Sequence, residues 1–97
     1  MGNRPAASSA VERDLTIVNQ RGLHARAAAK FVKLADTFAA EISVTKGDMT
    51  VSGRSIMGLM MLAAGPGSVL TFSTEGSDPS EFQKEMSALF EKKFEES

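Results

Sequence analysis

The chain contains no cysteine, no tryptophan and no tyrosine, and it has a single histidine. Without cysteine there is no disulfide framework, no thiol chemistry and no thiolate zinc site. The absence also fits a reducing cytoplasm, which is the expected location. One histidine cannot furnish a His-rich metal centre, and no cofactor motif is present, so neither metal nor cofactor is expected. No apolar run approaches the roughly 18 residues of a membrane span, and the first residues lack the apolar core of a secretory signal. The opening Met-Gly is followed by Ala6 where a myristoylation motif wants Ser or Thr. Net charge is −1, which gives no general affinity for nucleic acid. The missing Trp and Tyr remove the usual base-stacking platforms, and an RNA-binding module is disfavoured.

What remains is 97 residues, 42% of them hydrophobic, enough for one core and too little for two. Residues 1–13 (MGNRPAASSAVER) are small, polar and aperiodic and are expected to be a mobile tail; residues 14–97 are expected to form a single domain. Leu15-Thr16-Ile17-Val18 reads as a short strand broken at Gly22. From Ala25, a helix is expected with Ala28, Phe31, Val32, Ala35, Phe38 and Ala39 on one face. Two alternating stretches, Ile42/Val44 and Met49/Val51, flank Lys46-Gly47-Asp48 and predict a hairpin. A second helix from Ser55 would bury Ile56, Leu59, Met60 and Ala63 and stop at Gly65-Pro66-Gly67. Val69–Thr74 predicts a strand. Asp78-Pro79-Ser80-Glu81 predicts a capped helix start, with Phe82, Met86, Leu89 and Phe90 turned inward. The order is β-α-β-β-α-β-α. It suits an α+β two-layer fold with three helices on one face of a four-stranded antiparallel sheet.

Charge is unevenly distributed. From Leu15 to Ala35 there are four basic residues (Arg21, Arg26, Lys30, Lys33) and no acid, and the histidine lies among them. A lone histidine near a helix start is most often a surface or capping residue. Here Gly22 permits a sharp turn, His24 falls at or next to the N-cap of the next helix, and Arg26 falls in its first turn. Unpaired amides, the positive end of the helix dipole and a guanidinium together favour an anion beside the imidazole. A histidine so placed can act as a nucleophile that accepts a phosphoryl group.

Gly22-Leu23-His24-Ala25-Arg26 resembles the active-site signature of the HPr phosphocarrier family of the bacterial phosphotransferase system. Ser55-Ile56-Met57-Gly58-Leu59-Met60 resembles that family's regulatory serine segment, and the element order matches. The resemblance covers about residues 14–94. It implies an HPr-like open-faced sandwich that is a group carrier rather than an enzyme. His24 would be phosphorylated on Nδ1 by phosphorylated Enzyme I, with Arg26 assisting, and would pass the phosphate to an enzyme IIA protein or domain. Ser55 would be the site modified by HPr kinase/phosphorylase. One departure stands out: the family's usual Pro after the Arg is Ala27, which restores a backbone N–H without loss of helix propensity.

Ser55 is also a natural N-cap. Met57, Gly58 and Met61 are expected on the outer side of the second helix as an adaptable apolar patch. With Arg54 and Ala27, they make up the expected partner-binding surface, Arg54 pairing with an acidic partner or with phosphoserine. A monomer is expected, since a carrier must offer one face to several partners. The alternative is a regulatory protein acting mainly through Ser55.

Overall fold

A computed structural model describes residues 11–76 and 79–95 of the chain. Its elements are β1 (Val11–Thr16), α1 (Ala25–Ala35), β2 (Ala40–Lys46), β3 (Met49–Ser52), α2 (Ile56–Met61), β4 (Val69–Gly76) and α3 (Pro79–Glu91), with a short 3-10 turn at Lys93–Glu95. The strands form one antiparallel sheet in the order β1-β4-β2-β3. The helices cover one face, which is the α+β arrangement expected from the element order. Pro79 opens α3 as expected, whereas the Asp78 cap lies outside the described residues.

Period-two patterning explains why the sheet has one covered face. Ile42 and Val44 of β2 and Leu70, Phe72 and Thr74 of β4 point to the helices and are buried. The other face carries Glu12, Asp14, Glu41, Ser43, Thr45, Thr50, Thr71, Ser73 and Glu75. It is linked by Thr71 Oγ1 donating to Asp14 Oδ1 at 2.8 Å and a Thr45–Thr50 hydroxyl pair at 2.7 Å. Such a face stays in water without cost.

Under the helices, all six phenylalanines of the chain join in one run of ring contacts. Phe31 of α1 meets Phe72 of β4 at 5.5 Å and Phe82 of α3 at 5.9 Å. Phe90 and Phe94 close the far end at 4.9 Å. Each buried ring contributes about 1.5–3 kcal/mol.

Three expectations are corrected. The strand starts at Val11, inside the segment expected to be tail, and ends at Thr16, before Ile17 and Val18. Val11 and Leu15 are half-buried and pair with Thr74 and Leu70. The alternation is hidden by Arg13, a charged residue at an inward position on the sheet edge, where a long side chain can reach water. Buried Gln83 helps to fix the start of β1, its Nε2 donating to Val11 O at 3.3 Å and to Thr74 Oγ1 at 2.9 Å. On α1, Ala39 lies beyond the helix end and is exposed, while Ala27 joins Ala28, Phe31 and Ala35 in the core. On α2, only Leu59 is buried. Ile56, Met60 and Ala63 are exposed, and Leu62, just past the helix, takes the inward place.

Candidate functional site

The loop before α1 is held by backbone geometry. After β1 the chain stays tied to the turn preceding β4, with Ile17 N donating to Ser68 O at 2.8 Å and Gly67 N to Ile17 O at 2.9 Å. Asn19 is fully buried, and its Nδ2 donates to Gly22 O at 2.8 Å. Gly22 has φ +68, and a Cβ there would sit 2.4 Å from Ala64 O. Only glycine allows both that conformation and that approach. Leu23 N then donates to the same Ala64 O at 2.8 Å. The residue before the histidine is thereby bonded to the turn that follows α2.

His24 is the N-cap of α1, with φ −80 and ψ 179. It is half-buried. Its Nδ1 accepts from Ala27 N at 3.4 Å, and its carbonyl accepts from Ala28 N at 2.8 Å. An accepting Nδ1 carries a lone pair, so in the neutral ring the proton is on Nε2. That lone pair lies at the positive end of an eleven-residue helix that has no acid in its first turn. Arg26, the second residue of α1, is exposed, as is Arg21 in the preceding turn. An anion on Nδ1 would find helix amides there, with the cationic groups close in the chain.

Ser55 caps α2, its Oγ accepting from Gly58 N at 2.9 Å. Met57 and Met61 are exposed as expected, and Gly58 is half-buried. Ile56 and Met60 widen this apolar surface beyond the expected one. The six residues of α2 span roughly 9 Å. Ser55 is at one end, and the turn that bonds Leu23 follows the other.

Two residues expected on the partner surface are placed differently from that expectation. The Ala27 side chain is fully buried, so it packs in the core and only its backbone N–H reaches the site. Arg54 turns inward. Its guanidinium donates to Ala40 O at 2.6 Å, to Ala35 O at 2.9 Å and to Phe38 O, and it pairs with Asp36 at 3.4 Å. It ties together the end of α1, the turn after it and the start of β2 through their carbonyls. A planar fork of donors suits that task and is committed to it.

Lys46 does the same for α2, donating to Leu62 O at 3.1 Å and Ala63 O at 3.3 Å. Ala63 has φ +51, a left-handed conformation that costs a non-glycine residue about 1 kcal/mol or more. Sequence reasoning missed Asn19, which bonds Gly22 O three residues on, and Lys46 and Ala64, whose contacts are remote in sequence. Among the described residues, no cluster of three or more His, Cys, Asp or Glu could hold a metal ion. No described helix is long and apolar enough to cross a membrane.

Residues 11–92 match the family model described as the PTS HPr component phosphorylation site. The chain is 44% identical over 86 residues to the phosphocarrier protein HPr of Cupriavidus necator, covering 89% of this chain and 97% of that protein. It is 42% identical over 86 residues to the phosphocarrier protein NPr of Shewanella violacea, covering 89% of this chain and 94% of that protein. Its fold matches the crystal structure of HPr from Thermoanaerobacter tengcongensis with a TM-score of 0.84 at 42% identity, over 90% of this chain and 98% of that one. A histidine capping α1 through Nδ1, the serine-capped α2 and these matches lead to one family: the chain belongs to the HPr phosphocarriers of the phosphotransferase system.

Proposed function

We propose that the chain accepts a phosphoryl group on His24 Nδ1 from phosphorylated Enzyme I and hands it to an enzyme IIA protein or domain. The observation that carries this reading is the Nδ1 lone pair at the N-terminus of α1, 3.4 Å from Ala27 N. That distance is at the long limit of a hydrogen bond, so the lone pair is oriented but cheaply released. As Nδ1 attacks phosphorus, the P–N bond to the donor histidine breaks and its electron pair returns to the donor ring. The new phosphoryl oxygens lie where α1 presents its unpaired amides and dipole. The reverse sequence discharges the group to the acceptor.

Arg26 supports the transferred charge from the first turn of α1. Met57, Gly58 and Met61, with Ile56 and Met60, supply the docking face. Ser55 is the proposed regulatory site of an HPr kinase/phosphorylase. A dianion at that position adds charge beside the apolar face and opposes docking. The carrier works as a cytoplasmic monomer.

The test is intact-mass spectrometry after incubation with Enzyme I and phosphoenolpyruvate. Wild type gains one acid-labile phosphate, and His24→Ala gains none while staying folded by circular dichroism. An unmodified, folded wild type exposed to a competent cognate Enzyme I sinks the carrier reading. It shifts the weight to Ser55 as the centre of a regulatory protein.

A further inference from the structure

Oxidisable side chains are distributed unusually in this protein. Cysteine, tryptophan and tyrosine are absent, which leaves thioethers as the side chains most readily attacked by two-electron oxidants. Three of the six methionines fall within the six residues of α2. Met57 is 71% exposed, Met61 64% and Met60 42%. Residues 57, 60 and 61 are spaced i, i+3, i+4 and share one side of the helix. With Ile56, 40% exposed, they form a continuous apolar surface, and none of the ring contacts of the core reaches it. The structure supplies its own comparisons: Met86 is 0% exposed in the core, and Met49 is 42% exposed on the hairpin.

We propose that the α2 methionines are a reversible oxidative modification site for peroxide-class oxidants, through which oxidation weakens docking of phosphotransfer partners. The thioether sulfur attacks one peroxide oxygen. The O–O bond breaks as the S–O bond forms, the sulfur loses two electrons, and the other peroxide oxygen leaves as water after proton transfer. The product is a sulfoxide, polar and stereogenic, where the docking face needs an adaptable apolar group. Burying it against a partner leaves a strong acceptor without a donor. His24 itself and the bonds that orient it are untouched, so the effect falls on binding rather than on the capacity to carry phosphate. The consequence for docking rests on the phosphocarrier reading, while the site of oxidation does not.

The experiment treats the full chain with graded hydrogen peroxide, maps oxygen addition by peptide mass spectrometry, and measures phosphorylation by Enzyme I and phosphoenolpyruvate. Met57 and Met61 should oxidise first, Met60 and Met49 later and Met86 last. The Enzyme I concentration for half-maximal rate should rise roughly tenfold with one phosphate per chain still reached at saturation. Methionine sulfoxide reductase should restore it. A Met57→Leu/Met60→Leu/Met61→Leu variant, referred to its own untreated rate, should lose the peroxide response even though Met49 is still oxidised. Equal oxidation of Met86 and Met57, an unchanged half-saturation after oxidation, or a persistent response in the Leu variant would each overturn the proposal. Untreated protein that takes no phosphate overturns the carrier reading instead, and the order of oxidation still decides the modification site.

Discussion

His24 and Ser55 do the same structural job at the starts of two helices, and they do it differently. Ser55 Oγ takes Gly58 N at 2.9 Å, whereas His24 Nδ1 takes Ala27 N at 3.4 Å. The better cap belongs to the weaker helix: α2 has six residues and buries only Leu59, while α1 has eleven and buries four. A short helix with little packing needs its cap. A long one anchored by Phe31 does not, and its capping side chain is free to be chosen for chemistry. The position of His24 is then set by Asn19, Gly22 and Ala64 rather than by its own bond.

That contrast can be broken most strongly at Gly22. Gly22→Ala puts a methyl against Ala64 O and forces φ +68 on alanine. It should cost about 2–4 kcal/mol in urea unfolding and slow phosphorylation by roughly 100-fold through displacement of His24. An unchanged urea midpoint would show that His24 is not held from that side. Arg54→Met comes next. It removes one donor from each of three carbonyls, of which Ala35 O keeps the bond from Phe38 N, and should cost about 1.5–3 kcal/mol, with phosphate uptake retained at saturating Enzyme I. If uptake fails in the folded variant, Arg54 belongs to the partner surface after all. Ser55→Ala should cost about 1 kcal/mol and leave acid-labile phosphate intact. Loss of that phosphate would mean that the two caps are not separate in function. The smallest effect is expected from Ala27→Pro, which deletes only the donor to Nδ1. Stability should move by less than about 1 kcal/mol, since proline's stiffness offsets the lost bond. The lifetime of the phosphohistidine, followed by mass spectrometry, should shorten as one amide near the phosphoryl group disappears.

Much of this arrangement was legible in the chain. Local signals placed α1 at Ala25, the hairpin turn after Lys46, both caps and the inward Leu70 and Phe72. The element order followed from them. What failed was remote or too short to show a period. Six residues of α2 admit several apolar faces, and Ile56, Met60 and Ala63 looked as eligible as Leu59. The inward place past the helix went to Leu62, because the chain turns at Ala63. Arg54 was read by its neighbour Ser55 although its partners lie at residues 35–40, which only the packing of the β3–α2 junction against the end of α1 brings near. Ala27 was assigned to the surface because it replaces the family's usual Pro beside Arg26, whereas helical spacing from Phe31 puts it inside.

The bond from Leu23 N to Ala64 O has a use as a reporter. That amide can exchange its proton with solvent only when the histidine loop parts from the turn after α2. Its deuterium uptake therefore measures how often the site opens, separately from whole-molecule unfolding. A Leu23 amide that exchanges much faster than those of Phe72 and Val44 would describe a loop that breathes while the sheet stays closed. The same amide followed in the charged protein would show whether a phosphate on His24 holds that loop shut.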